Sequence, residues 1–250
     1  MSQTRDIVQD IVKHTAGLGF ITSVKVTGTD ESTTLDAMDA DRTVILQATM
    51  HNAVEQFNGE FGLGNLGFLS GVTGLPNYQT DDATVDVVTR ERNGATVPDH
   101  LLFKDKEGNT DQYRFMSKEI IEQTLQTVKF KGVEWDVTFA PTKAKVSELQ
   151  AVAGIYGGIE PNFTVRTDNG DLILTVGAAD GSFTGKRTFA NNVNGEITEG
   201  YAWPLNQVLA ILRLGMSGTC VMNISKKGAL MISVDSGLGK YDYILPALTV

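Results

Sequence analysis

Over the last fifty residues the apolar positions change period. Leu205, Val208, Leu209 and Leu212 recur at i, i+3, i+4 and i+7, one stripe of a helix that starts behind Pro204, with Asn206, Ala210 and Arg213 on its other face. Beyond Gly215 and Gly218 the pattern becomes extended. Thr219 to Lys226, Ala229 to Asp235 and Tyr241 to Leu248 read as strands, parted by Lys227-Gly228 and Ser236-Gly237-Leu238-Gly239. A strand ending at Tyr201-Ala202-Trp203 precedes the helix, so the unit is strand, helix and antiparallel meander.

The rest of the chain repeats this unit more loosely. Thr4 to Ala16 predicts a helix with Ile7, Val8, Ile11 and Val12 inward, and Arg5, Gln9 and Lys13 on a polar line beside Asp6, Asp10 and His14. Strands follow at Phe20 to Val26, Thr33 to Ala37, Thr43 to Met50 and Glu55 to Phe61, then a glycine-broken helix from Gly64 to Thr73. Ala83 to Arg92, His100 to Asp105 and Thr110 to Ser117 are the next strands. Lys118 to Gly132 interrupts the rhythm. A strand at Val133 to Ala140 then leads through Pro141 and Thr142 into a helix with Val146, Leu149, Val152, Ala153 and Tyr156 in register. Asn162 to Thr167, Asp171 to Gly177, Thr184 to Val193 and Ile197 to Trp203 are strands. Each half therefore reads helix, four strands, helix, three strands, a repeat of pattern within an α+β chain.

Composition narrows the function. The 250 residues are 41% hydrophobic and 20% charged, a globular composition with no apolar run able to span a bilayer. The start, Met1 to Asp6, has no apolar signal region, which predicts a cytoplasmic protein. The single cysteine, Cys220, alternates with Val221 and Met222 and reads as a small buried residue. A net charge of −9 opposes indiscriminate binding to nucleic acid or anionic membranes. A chain of this charge that meets DNA must gather its few cations on one surface.

No active site is expected. His14, His51 and His100 have no ligand spacing with one another or with Cys220, and the acid pairs Asp81-Asp82 and Asp39-Asp41 fall in loops. No cofactor or metal follows from them. Gly62-Leu63-Gly64-Asn65-Leu66-Gly67 matches G-x-G-x-x-G between a strand and a helix, but the segments after it read as hairpins instead of the parallel strand that a dinucleotide fold requires. Gly181 to Thr188 fails the P-loop spacing. More informative are Asp111 to Met116 and Gly185 to Ala190, alternating segments without proline that read either as internal strands or as edges able to pair with another chain.

Three stretches carry a family resemblance: Leu35-Asp36-Ala37-Met38-Asp39 followed by Val44, Gly62 to Leu69, and Lys240-Tyr241-Asp242-Tyr243-Ile244-Leu245-Pro246. In this order, and with the internal repeat, the chain resembles the DNA polymerase sliding clamps of the proliferating-cell-nuclear-antigen type, above all the trimeric clamps of T-even-type bacteriophages. The resemblance implies two similar clamp domains, 1–117 and 133–250, each with two helices on the inner face of curved antiparallel sheets, joined by a linker at 118–132. It implies a homotrimeric ring around duplex DNA, without enzymatic activity, which tethers a replicative polymerase and is placed by a clamp loader in the cytoplasm of a host bacterium. Arg5, Lys13, Lys143, Lys145 and Arg213 would face DNA. Met38, Val44, Val128, Phe130, Tyr243, Leu245 and Pro246 would line a pocket for partner peptides, although Val44, Tyr243 and Leu245 also fit a core role. Tyr113 and Phe115 of one chain would meet Arg187 and Phe189 of the next. Two other readings share parts of this pattern: a phage tube or shell protein that assembles through β edges, and a nucleotide-binding enzyme built on Gly62 to Gly67.

Overall fold

A computed structural model describes residues 4–92, 94–126, 130–178 and 181–248, which divide into two compact units, residues 1–128 with 237–241 and residues 129–236 with 242–250. In the first unit, helix α1 (Thr4–His14) is followed by β1 (Val24–Gly28), β2 (Thr33–Met38), β3 (Ile45–Met50) and β4 (Gly59–Leu63), then helix α2 (Leu66–Thr73). The hairpin strands β5 (Thr84–Arg92), β6 (Ala95–Lys104) and β7 (Thr110–Arg114) come next, then the short β8 (Met116–Ser117) and helix α3 (Lys118–Leu125). The second unit opens with β9 (Val137–Phe139) and helix α4 (Lys143–Tyr156), and continues through β10 (Asn162–Asp168), β11 (Asp171–Gly177), β12 (Thr184–Ala190) and β13 (Tyr201–Pro204). Helix α5 (Leu205–Gly215), β14 (Thr219–Ser225), β15 (Ala229–Asp235) and β16 (Gly239–Pro246) complete the chain.

The repeat is one of topology. Strands run β4-β1-β2-β3 in the first unit and β13-β10-β11-β12 in the second, each with the strand after the first helix paired on both sides. Both units then add an antiparallel meander, β5-β6-β7 and β14-β15-β16. The α+β architecture expected from the periodicities is therefore present in both halves. Alternation sets the faces: β2 shows the burial pattern of a half-covered strand, and β11 repeats it in opposite phase, with Leu172, Leu174 and Val176 inward.

Helix packing follows the apolar stripes. All four stripe residues of α5 are buried, as is Ile211, and Trp203 beneath them is fully buried with its indole Nε1 donating to the Leu245 carbonyl at 3.1 Å. In α4, Val146, Leu149 and Val152 face inward, and the Thr142 side chain caps the helix by accepting from the Lys145 amide.

Several boundaries differ from the sequence reading. Glu55–Phe57 is a turn of 3-10 helix, not strand, because Phe57 turns inward to pack edge-on against Phe61. His14, expected on a polar face, is buried and stacked on Tyr241 at 4.2 Å, where Asp10 accepts from the Tyr241 hydroxyl. Residues 118–125, expected within the linker, form α3, which buries Ile121 and Leu125 and makes an ion pair from Glu122 to Lys25. That helix and β8 also account for the first two glycines of the G-x-G-x-x-G run. A Cβ on Gly62 would lie 2.6 Å from Ile121, and one on Gly64 would collide with Met116, so these glycines admit α3 and β8. The next strands, β5 to β7, are antiparallel, as the sequence predicts.

Because Leu212 is fully buried, Leu212→Ala should cost about 2–5 kcal/mol. A urea titration of the variant reads this as a lowered midpoint at unchanged slope. Burial also pushes the Cys220 thiol up to about 11, so the native protein should resist a disulfide reagent at pH 8 and react on unfolding.

Candidate nucleic-acid and subunit surfaces

The five expected DNA-facing cations all lie on helices, in different settings. Lys13 is exposed in the last turn of α1, Lys143 in the first turn of α4, and Arg213 in the last turn of α5. Lys145 is half-buried and bridges Glu148 at 3.0 Å, one turn on. Arg5 differs: its side chain is only 12% exposed, pairs with Asp6 and Asp81, and donates to the Thr80 carbonyl. Its charge ties α1 to the loop before β5 and is already countered there. Helices α1, α2, α4 and α5 together carry these five cations against three acids, Asp6, Asp10 and Glu148, so the chain's excess of acid lies elsewhere. The outer face of α2 is uncharged, with Gly67, Gly71 and a half-exposed Phe68.

The residues expected to receive partner peptides separate by burial. Val44, Tyr243 and Leu245 are fully buried and serve the core. Val44 closes the turn that follows β2: its amide donates to Asp39 Oδ1 at 2.8 Å, Thr43 donates to Asp39 Oδ2 at 2.6 Å, and the Asp39 amide donates to the Val44 carbonyl at 3.1 Å. The Leu-x-x-Met-Asp run is thus a turn-forming motif with Met38 half-buried at its start. In the second unit Pro246 is exposed and Phe130 is half-buried against Trp135, with ring centroids 6.1 Å apart. Trp135 was not singled out by sequence reasoning, although an aromatic five residues beyond Phe130 was the available signal. Val128 lies outside the described residues.

Both candidate edges are margin strands: β7 of the β5-β6-β7 sheet, and β12 of the β12-β11-β10-β13 sheet. The aromatic residues expected at a subunit contact point the other way. Tyr113, Phe115 and Phe189 are buried within their own units, and the Tyr113 hydroxyl donates to the Gly64 carbonyl. Period-2 alternation requires this, since an edge strand offers its backbone laterally while every second side chain faces the core. Arg187 is half-exposed on β12, 3.7 Å from Glu148. Large apolar side chains also reach solvent beside these edges. Phe183 and Ile155, 64% and 68% exposed, flank β12 and the end of α4, together with Ile159. On the first unit Phe68 of α2 stacks 6.4 Å from Tyr113 of β7, and Leu75 is exposed just beyond that helix. Patterns of strand alternation found the edges and missed these flanking residues, which lie in helix ends and loops.

The turn before β7 is held by Asp105, which accepts from the amides of Glu107 and Asn109 and from the side chains of Asn109 and Asn77. The side-chain donors Asn109 and Asn77, then these amides, hold its carboxyl down to about 2. A lowered carboxyl supplies stability above its unfolded value and loses it as pH falls through the folded one. Asp105→Asn should therefore destabilise the protein at pH 7, by an amount that shrinks between about pH 4 and pH 2 in thermal melts.

Among the described residues no group of His, Cys, Asp or Glu is placed to hold a metal ion, and no helix is long and apolar enough to cross a membrane. Neither a protein-family model nor a curated protein matches the sequence. Solved structures do match, over the whole chain. A. fulgidus PCNA, bound to the C-terminal region of FEN-1, superposes with a TM-score of 0.71 at 10% identity, covering 99% of this chain and 97% of that one. PCNA of Thermococcus kodakaraensis gives 0.70 at 12% identity, covering 99% and 98%. A PCNA2-PCNA3 complex from Sulfolobus tokodaii gives 0.65 at 14% identity, covering 97% and 96%. From end to end, the chain has the fold of the PCNA-type sliding clamps.

Proposed function

We propose that this protein is a DNA sliding clamp, a non-enzymatic processivity factor that closes as a homotrimeric ring around duplex DNA and holds a replicative polymerase on its template. The whole-length clamp fold carries this reading. Its domains are the two topological repeats, with α3 added to the first, and the connection between them falls after residue 125. The motifs Leu35 to Asp39 and Lys240 to Pro246 favour the short T-even-type phage clamps within that fold.

The margin strands β7 and β12 support head-to-tail closure. Each offers unpaired backbone, and each is flanked by exposed apolar side chains that a neighbouring copy would cover. The DNA-facing set is Lys13, Lys143, Lys145 and Arg213, without Arg5. So few cations suit a tether that must slide, since affinity for phosphate rises steeply with each contact. Partner peptides, from the polymerase and a clamp loader, would use the accessible Met38, Phe130 and Pro246 rather than the buried Val44, Tyr243 and Leu245. A. fulgidus PCNA bound to the C-terminal region of FEN-1 is a precedent for capture of a partner's C-terminal segment by this fold. A tube or shell protein would use the same edges without closing.

Solution mass separates these readings. The native protein should give one trimeric mass that does not grow with concentration, and Phe183→Asp with Ile155→Asp should shift it towards monomer. Open-ended growth would favour the tube. In anisotropy titrations on short duplex, Lys143→Gln with Arg213→Gln should lower the slope of log affinity against log salt by about 2, roughly 0.9 per phosphate contact.

A further inference from the structure

The third glycine of the G-x-G-x-x-G run has no packing role, and it stands at a cavity. Gly67 lies in the first turn of α2, where a Cβ would meet nothing within 4 Å. The cavity, of about 530 Å³, is in the first unit, where the segment after α1, the start of α2 and the end of α3 come together. Thr22, Ser23, Asn65, Gly67 and Ser70 supply its polar lining. No charged residue lines it, so the chain's excess of acid does not oppose an anion there at close range.

Two unused donors face this space. A helix start leaves amides without intrahelical partners, and in α2 most of them are accounted for. Leu66 donates to the Thr22 carbonyl at 3.4 Å, and Phe68 and Leu69 donate to the Asn65 carbonyl at 2.9 and 3.3 Å. The Gly67 amide has no partner among the described residues, and Asn65, at the N-cap position, makes no side-chain cap. The second donor is independent of the helix. Ser23 is only 7% exposed and its hydroxyl has no partner among the described residues, yet none of their side-chain oxygens is sealed inside the protein unbonded. The Ser23 hydroxyl therefore opens onto the cavity that it lines. A buried hydroxyl that gives up water without gaining a protein partner is a cost that a ligand in the cavity would remove.

We infer that this cavity binds the phosphoryl group of a small organic phosphate, held by the Gly67 amide and the Ser23 hydroxyl at the positive end of α2. The tetrahedral oxyanion offers acceptors in several directions, which suits neutral donors arriving both from a helix start and from the segment before β1. The space is larger than a bare phosphate needs, and Ile21, Leu66 and Met116 give an apolar wall for the organic part. The antiparallel strands β5 to β7 exclude a dinucleotide fold but not an anion at a helix start. Ring closure and DNA contact are not needed for this site, because none of its residues belongs to β7, β12 or the basic set on the helices.

The test is an isothermal titration of the full chain with adenosine monophosphate as the probe. Saturable binding in the millimolar range is expected, reversed by inorganic phosphate and absent with adenosine, which lacks the phosphoryl group. Gly67→Ala puts a methyl group into the open space, at a position whose backbone is not left-handed, and raises helix propensity. That variant should fold at least as stably as the native chain in a urea titration and bind the nucleotide about tenfold more weakly. Ser23→Ala, which removes one donor to the anion, should also weaken binding about tenfold. Lys143→Gln with Arg213→Gln should bind as the native chain does. The inference is overturned if the native protein shows no saturable binding at about 10 mM probe, if adenosine binds as tightly, if inorganic phosphate fails to displace the nucleotide, or if either cavity variant binds as tightly as the native chain. Loss of binding in the Lys143→Gln, Arg213→Gln protein would also overturn it, by placing the anion on the basic helix faces.

Discussion

Burial of one stripe on each helix is the constraint from which the other features follow. A helix that commits Leu205, Val208, Leu209 and Leu212 to the sheet has its remaining positions fixed by the 3.6-residue period, and Arg213 falls among those left outside. The same holds for α4, where burying Val146, Leu149 and Val152 leaves Lys143 in water. Because α5 has no acidic residue and α4 has one, the outward faces of these helices are basic within an acidic chain without any dedicated basic segment. Core packing therefore decides where a basic face is left for the proposed DNA contact.

The sheets impose a second division. A margin strand buries alternate side chains in its own unit, so Tyr113 and Phe189 stabilise the fold while the backbone beside them remains available. Specificity for the proposed neighbour can then come also from side chains on adjoining elements. Phe183, Ile155 and Phe68 are large apolar residues at just such positions, and their exposure costs solubility unless another surface covers them.

Much of the fold was legible because the two periods in the sequence are clean. The α5 stripe, the exact extent of the strands at 171–177 and 229–235, and the order of elements in both halves all follow from alternation and turn residues. What alternation does not encode is which polar residue the tertiary structure will enclose. His14 sits on the polar line of α1, yet stacking on Tyr241, more than two hundred positions away, buries it. Arg5 shares a helical line with Lys13 but is claimed by Asp81 and Thr80, a contact no local pattern announces. Likewise α3 was hidden because Ile120, Ile121 and Leu125 make too short a stripe to stand apart from a loop, and its presence is what makes Gly62 necessary, as Met116 of β8 does for Gly64. Two of the motif's three glycines are there for packing.

The proposed function is topological: the protein would hold DNA by enclosing it, with weak contacts inside the ring. The most direct measurement compares retention of the loaded protein on nicked circular DNA with retention on the same DNA after linearisation, at a salt concentration that suppresses simple phosphate binding. Enclosure predicts long residence on the circle and rapid loss from the free ends of the linear molecule. Equal retention on both would contradict it.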